Sequence, residues 1–222
     1  EFLKLRVDNL EGVIKAAEGM DCIVNLSVLR TDRKLAFDVS TKGNYSMMEA
    51  ARINNIKRVI NTGPHFQLVG QSYEEWDYNL NPDMPAQPGT RLYAISKFLG
   101  QEICKRYADQ FGIQLITLLY YNMRHHLDLT TPDFEPAELH NDMTPFTTSW
   151  IDCGEAVRCA VDVSKERLAS NKETFFISPN IPHKKFNSEK TYKVLGWQPR
   201  YTLENLWNKK IVSSDGHKED SY

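Results

Sequence analysis

Short apolar runs alternate along this chain with longer segments whose apolar residues recur every three or four positions. The short runs are typical of strands buried on both faces of a parallel sheet. The longer segments have the spacing of amphipathic helices; in 9–19, Leu10, Val13, Ile14 and Ala17 share one face. The segments predicted as strands are 3–7, 22–26, 57–61, 113–121, 146–151 and 173–178. The segments predicted as helices are 9–19, 38–55, 91–112, 153–166, 188–195 and 202–209.

This alternation predicts an α/β fold with a parallel sheet and helices on both of its faces. Residues 63–90 contain four prolines and are predicted to be mostly loop. After residue 123 the alternation of strand-like and helix-like segments becomes less regular. Residues 124–145 are polar, contain prolines and are predicted to form a loop or lid. We therefore expect a main domain over 1–123 and a small lobe with interleaved elements over 124–212. The last ten residues, 213–222, form a polar tail that we expect to be disordered.

Tyr93 and Lys97 are the pair of side chains with the clearest chemical meaning. They are four residues apart near the start of a predicted helix, so both lie on one helical face. An ammonium beside a phenol favours the phenolate and lowers its pKa. Such a tyrosine can exchange a proton with a substrate hydroxyl while a hydride moves to or from a nicotinamide. The spacing alone is common by chance, and the structural alternative is a tyrosine that packs beside a surface lysine.

The surrounding segments resemble the extended short-chain dehydrogenase/reductase family, in its NAD-dependent epimerase/dehydratase branch. Residues 44–63 (NYSMMEAARINNIKRVINTG) are similar to the helix and strand that precede the family's catalytic loop. Residues 91–123 (RLYAISKFLGQEICKRYADQFGIQLITLLYYNM) are similar to its catalytic helix and following strand. Residues 195–204 (LGWQPRYTLE) are similar to a C-terminal signature of the branch that acts on sugar nucleotides.

The resemblance implies a Rossmann-like doubly wound sheet that binds NAD or NADP, followed by a small C-terminal substrate lobe. Tyr93 would be the acid/base, and Lys97 would tune it and hold the nicotinamide ribose. Asp8 and Asn9 correspond to the position where the family has an aspartate that contacts the adenine; either could also cap the following helix, and the two roles can coexist. Asn25, Leu26 and Ser27 correspond to a strand end that lies along the cofactor; simple strand termination is the alternative.

Further positions are carried over from the same resemblance. Tyr120 and Asn122 correspond to the strand end beside the nicotinamide and the substrate, where Asn122 could also be a loop cap. Trp150 could stack on a base or sugar, or it could be a core tryptophan. The family's two long helices, here 38–55 and 91–112, often form a four-helix bundle, which implies a homodimer.

Two positions depart from the family pattern. The catalytic Ser/Thr position, counted back from Gly70, holds His65, which can donate a hydrogen bond to a substrate oxygen. Thr62 is the nearest hydroxyl and is the alternative for that role; His65 could also be purely structural. Ser40 stands where the family has an asparagine at a helix start. These changes weigh against ordinary hydride transfer, which the Tyr93 and Lys97 pair alone would imply.

The glycine-rich phosphate loop of dinucleotide-binding folds has no counterpart in these 222 residues. By resemblance, 3–7 is the family's third strand, so two βα units, about 50–60 residues, are missing. Without them 3–7 would lack a neighbouring strand and 22–26 would expose an apolar edge. We therefore expect the 222 residues to be a portion of a longer chain.

Charge and cysteine usage exclude several other classes of function. The net charge of −2 carries no basic excess for nucleic acid, and no apolar run approaches the roughly 18 residues of a membrane span. The four cysteines form no CxxC pair and no zinc-like cluster with histidine, so no metal site is predicted. Buried free thiols favour a reducing compartment such as the cytoplasm.

Three functional hypotheses remain at this stage. The first is an NAD(P)-dependent epimerase, dehydratase or dehydrogenase that acts on a small-molecule substrate, a sugar nucleotide or related polyol. The second is a catalytically weak or inactive family member that serves as a binding or assembly subunit. The third is a regulator that binds NAD(P) without turnover.

Overall fold

The computed structural model of the chain describes residues 2–70, 79–125, 146–180 and 184–201. Within these ranges the strands are β1 (Cys22–Asn25), β2 (Arg58–Pro64), β3 (Gln114–Tyr120), β4 (Asn122–Arg124), β5 (Thr147–Ser149) and β6 (Lys172–Ile177). The α-helices are α1 (Leu10–Ala16), α2 (Arg33–Ser40), α3 (Lys42–Ile53), α4 (Phe66–Val69), α5 (Leu92–Phe111) and α6 (Trp150–Asp162). Short 3₁₀ and π-helical turns occupy Lys165–Arg167 and Thr191–Leu195. The predicted helix 202–209, the tail 213–222 and nearly all of the predicted lid 124–145 lie outside the described residues.

The main sheet has four parallel strands in the order β1-β2-β3-β6, and β4 pairs with β5 in a separate two-stranded sheet. The predicted α/β class with a parallel sheet is therefore confirmed. Helices cover both faces of the main sheet. On β2, Val59 packs into a core with α1, α3 and α5, whereas Ile60 packs into the opposite core with α6. Because successive side chains of a strand point to opposite faces, one continuous apolar run supplies both cores.

The predicted strand 3–7 is wrong, because residues 2–6 have no strand structure. A strand exists through hydrogen bonds to a neighbour, and none of the described strands pairs with this segment. Its side chains are poorly covered, with Leu3 56% and Leu5 36% exposed. The edge of β1 is also apolar and partly open, since Val24 is 37% exposed.

The single helix predicted over 38–55 is two helices, α2 and α3, which meet at Thr41. Helix α2 begins earlier than predicted because Asp32 caps it, with its carboxylate accepting a 2.8 Å hydrogen bond from the Leu35 amide. Helix α6 also begins early, at Trp150, because the Ser149 hydroxyl accepts from the Asp152 amide at 3.0 Å. Both errors come from caps that the apolar spacing does not show.

The segment after residue 195 docks on the first turn of α6. Trp197 is fully buried and its indole nitrogen donates to the Asp152 carbonyl at 2.9 Å. The buried Asp152 carboxylate accepts from the backbone amides of Arg200 and Tyr201 at 2.8 and 3.2 Å. The Leu-Gly-Trp part of the C-terminal signature therefore has a structural role, because it fixes this segment on the face of the sheet that α6 covers.

Gly100 allows α5 to approach α2 closely. A Cβ built at this position would lie 2.0 Å from the Ser40 carbonyl oxygen and 2.5 Å from the Asn44 amide nitrogen. Gly154, within α6, has no atom within 4 Å of the point that a Cβ would occupy, and it serves as the control.

We expect Gly100→Ala to lower the free energy of unfolding by about 1–3 kcal/mol. Gly154→Ala should raise it by about 0.5–1 kcal/mol, since alanine is the better helix former. Urea unfolding of both variants measures this, and equal effects would contradict the close approach.

Among the described residues, no helix is both long and apolar enough to cross a membrane.

Candidate active site

A small cleft lies at the carboxyl ends of β1, β2 and β3. Ligands of doubly wound sheets bind outside this edge of the strands. The cleft has a volume of about 100 Å³. Its lining residues are Leu26, Ser27, Val28, Arg30, Thr62, Gly63, Pro64, Tyr93, Lys97, Tyr120, Tyr121 and Met123. Six of the residues predicted from the sequence, Leu26, Ser27, Thr62, Tyr93, Lys97 and Tyr120, thus line one cleft.

Tyr93 and Lys97 both come from the first two turns of α5. Lys97 is only 4% exposed, and its ammonium donates a 2.7 Å hydrogen bond to the Ser27 carbonyl. Burial, with added repulsion from Arg30, lowers the pKa of Lys97 to about 8. Tyr93 is half-buried, and its hydroxyl lies 3.3 Å from a guanidinium nitrogen of Arg30.

A network of buried amides fixes the loop that supplies the Ser27 carbonyl. The Asn25 side-chain oxygen accepts from the Ser27 amide and hydroxyl at 3.0 and 2.6 Å. The Asn25 amide nitrogen donates to the side chains of Asn61 at 2.9 Å and Asn44 at 3.3 Å. Asn61 in turn donates to Gln101 on α5 at 2.7 Å. The side chain of Asn25 therefore faces this network, and Ser27 presents its carbonyl to the cleft.

Thr62 and His65, the two alternatives for the family's Ser/Thr position, occupy different environments. Thr62 lines the cleft, and its hydroxyl donates to the Asn25 carbonyl at 2.7 Å. His65 is 1% exposed and is not among the cleft-lining residues. Its ring stacks on Tyr121 at a centroid distance of 4.3 Å and contacts Phe66 and Phe186. Burial lowers the pKa of His65 to about 3, so the imidazole is neutral at physiological pH.

Three predicted cofactor contacts lie away from the cleft. Asp8 forms an ion pair with Arg6 at 2.7 Å, which lowers the pKa of its carboxyl. Asn9 caps α1, with its side-chain oxygen accepting from the Gly12 amide at 3.3 Å. Ser40 is 2% exposed at the end of α2, and its carbonyl accepts from Asn44 at 2.5 Å. Of the two caps considered for α1, the structure uses Asn9.

Tyr120 is the last residue of β3, Asn122 begins β4, and Trp150 begins α6 directly after β5. The buried Tyr120 hydroxyl donates to the Cys153 carbonyl at 3.2 Å, and burial raises the pKa of this phenol. The Asn122 side chain accepts from the Met123 amide at 2.9 Å, which is the loop-cap geometry. Trp150 is 60% exposed, so the core alternative for this tryptophan is wrong; of the two tryptophans that the structure describes, Trp197 is the buried one.

Arg30 is the cleft residue that the sequence analysis missed. It lies in the loop between β1 and α2, and its guanidinium carbon sits 4.6 Å from the centre of the Tyr93 ring. No motif marks this position. The signal that could have found it is topological, because loops that follow parallel strands line the site of such sheets.

Residues 1–124, just over half of the chain, match the family described as NAD dependent epimerase/dehydratase family. The chain belongs to this family. The family resemblance, of which the YAISK segment lies within the matched residues, is thereby confirmed.

Two curated proteins are similar in sequence to part of this chain. GDP-mannose 3,5-epimerase of Arabidopsis thaliana is 28% identical over 138 residues, which cover 55% of this chain and 35% of that protein. Uronate dehydrogenase of Agrobacterium fabrum is 31% identical over 98 residues, which cover 42% of this chain and 35% of that protein. The chain thus spans about a third of the length of these curated relatives.

The solved structure of UDP-glucuronic acid 4-epimerase from Bacillus cereus, in complex with NAD, has the same fold. It superposes with a TM-score of 0.69 at 16% identity, covering 92% of this chain and 77% of that chain. At this identity the likeness concerns the fold alone. It confirms the Rossmann-like sheet predicted from the resemblance.

The side chains of the cleft fit the nicotinamide riboside half of a dinucleotide. An ammonium has three donors, and in the described part of the chain Lys97 uses one of them, on Ser27. Its other two donors are available for the hydroxyls of a ribose. No glycine-rich loop that would bind the phosphates occurs in these 222 residues.

Proposed function

We propose that this protein is an NAD-dependent oxidoreductase or epimerase that acts on a sugar acid or nucleotide sugar. The observation that carries this proposal is the position of Tyr93, Lys97 and Thr62 around one cleft at the carboxyl edge of the sheet. Bound NAD would accept a hydride from a substrate carbon. The proposal is supported by the family's description as NAD dependent and by the fit of Lys97 to a ribose.

Tyr93 would take the proton that the substrate hydroxyl loses as its carbon gives up the hydride. The products of that step are a carbonyl, reduced cofactor and a protonated Tyr93, so charge and electrons balance. The ammonium of Lys97 would hold the ribose and stabilise the phenolate form of Tyr93. An epimerase would return the hydride to the opposite face of the carbonyl carbon and the proton to the carbonyl oxygen, whereas a dehydrogenase would release the oxidised product.

Thr62, rather than His65, is our choice for positioning the substrate oxygen. Its hydroxyl proton is directed to the Asn25 carbonyl, so its lone pairs can accept a hydrogen bond from a substrate hydroxyl. His65 would contribute indirectly, because it packs against the cleft-lining residue Tyr121. Asp8, Asn9 and Ser40 would hold structure near the cofactor rather than contact it through their side chains.

The substrate class follows the relatives, which include enzymes named for uronates and for nucleotide-linked sugars. The predicted lobe over 124–212 would hold this substrate, with Trp150 exposed next to β5. A homodimer through α3 and α5 and a cytoplasmic location remain our predictions. The dimer is supported by exposed Tyr45, Ile53 and Leu99 on these helices, and the location by four free cysteines.

The test is NAD binding by calorimetry, followed by nicotinamide absorbance during incubation of the complete protein with glucuronate and with UDP-glucuronate. Reduction of NAD, or interconversion of the nucleotide sugar with bound NAD, supports the proposal. Binding without either reaction would favour the NAD-sensing regulator. If the complete protein does not bind NAD, the enzyme proposal fails and an assembly subunit is favoured.

A further inference from the structure

Arg30 lies beside Tyr93 in the cleft, and its position is not explained by a structural role. Its side chain is exposed, and its contacts within the described residues are with Tyr93: 4.6 Å to the ring centre and 3.3 Å to the hydroxyl. A cation over an exposed aromatic ring contributes only about 0.5–1 kcal/mol. Removing the guanidinium would leave no buried group without a partner, so packing does not explain this arginine.

The charges around the cleft are unbalanced. Among the lining residues that the structure describes, Arg30 and Lys97 are the cations and none is an aspartate or glutamate. The described carboxylates form no ion pair with either cation. The two positive charges repel each other, and this repulsion contributes to the lowered pKa of Lys97. A positively charged cleft of this kind attracts an anion, which would relieve the repulsion.

From this arrangement we propose that Arg30 is a specificity-determining residue that binds the carboxylate of a sugar acid beside Tyr93. A planar guanidinium can pair with a carboxylate through two parallel hydrogen bonds. The exposed Arg30 guanidinium lies 4.6 Å from the centre of the Tyr93 ring, so a bound acid group would be held next to the phenol. This inference rests on the proposed function, because it assigns the substrate class of the same site.

The experiment compares Arg30→Gln and Arg30→Lys with the matched control Arg33→Gln, which removes another exposed arginine three residues along the chain. Glucuronate and glucose are the paired substrates, with NAD varied separately. We expect Arg30→Gln to raise KM for glucuronate roughly 10- to 100-fold. KM for glucose and for NAD should stay within about twofold, since neither depends on the acid group. Arg30→Lys should restore part of the loss, and Arg33→Gln should behave like the wild type.

Two results would overturn the assignment. An equal loss for glucuronate and glucose would mean that Arg30 supports Tyr93 or the loop and does not read the carboxylate. A rise confined to KM for NAD would make it a residue for the cofactor's anionic groups. If the wild type shows no turnover, the proposed function fails on its own. Calorimetric titration of glucuronate into wild type and Arg30→Gln then decides whether Arg30 binds the acid.

Discussion

Tyr93→Phe is expected to lower kcat by roughly 10²–10⁴-fold, the usual contribution of a positioned acid/base. The substitution removes one oxygen from a half-buried ring and leaves the ring's contact with Arg30 in place. NAD affinity should change little, because Lys97 and the Ser27 loop are untouched. Steady-state kinetics combined with calorimetric NAD titration measure both quantities.

The matched control is Tyr45→Phe, a tyrosine on α3 that is 42% exposed and lies outside the cleft. It should keep kcat within about twofold of the wild type. A Tyr93→Phe enzyme that retains full kcat would remove Tyr93 from the mechanism. If NAD binding disappears together with kcat, the phenol is needed for the bound complex and not for proton transfer.

Lys97→Met is expected to abolish turnover while making the protein more stable. Lys97 is a buried cation that lacks a carboxylate partner among the described residues and donates to one carbonyl. Methionine has a similar volume and no charge to desolvate, so we expect the free energy of unfolding at pH 7 to rise by about 1–3 kcal/mol. Turnover should fall by at least about 100-fold, through loss of the ribose contact and of the charge beside Tyr93.

The stability gain should also depend on pH, with a definite sign. Folding lowers the pKa of Lys97 from its ordinary 10.5 to about 8. Below pH 8 both states are protonated and the folded protein bears the full cost of the buried charge. Between about pH 8 and 10.5 the unfolded chain binds more protons, so wild-type stability rises with pH. The advantage of Lys97→Met should therefore shrink across this window, as measured by urea unfolding at several pH values.

Lys105→Met is the control on the same helix. Lys105 is 36% exposed at its side chain and pairs with Glu102 at 2.7 Å. Exposed pairs of this kind contribute little, so its stability should change by less than about 1 kcal/mol, with no loss of turnover. A Lys97→Met protein less stable than the wild type would show that Lys97 is a structural residue.

The sequence predicted the four strands of the main sheet and half of the residues that line the cleft, for a clear physical reason. Buried parallel strands require unbroken apolar runs, and 113–121 could hardly be anything else. The helix break at Thr41 was not predictable from apolar spacing, because α2 and α3 continue the same periodicity on either side of it. The prediction of a strand at 3–7 was wrong for a different reason. Strand structure depends on hydrogen bonds to a neighbouring strand, and a local sequence pattern does not show whether that neighbour is present.

Within the site, the residues near the family's motifs were placed best. Tyr93 and Lys97 line the cleft because a helix fixes residues four apart on one face. His65 was assigned by counting along a loop, and counting does not show that the ring would pack against Tyr121 and Phe186. Arg30 was not predicted because its possible role is indicated by its contact with Tyr93, which lies 63 positions further along the chain.

The buried amide network gives this protein a polar layer that serves two purposes at once. Asn25, Asn61 and Gln101 join the sheet to α5, and Asn25 also holds the loop whose carbonyl receives Lys97. Replacing these amides with aliphatic side chains to raise thermal stability would remove the hydrogen bonds that hold the loop on which Lys97 depends. A substitution at one of these interior positions would therefore disturb the support of Lys97 in the cleft as well as the packing between the sheet and α5.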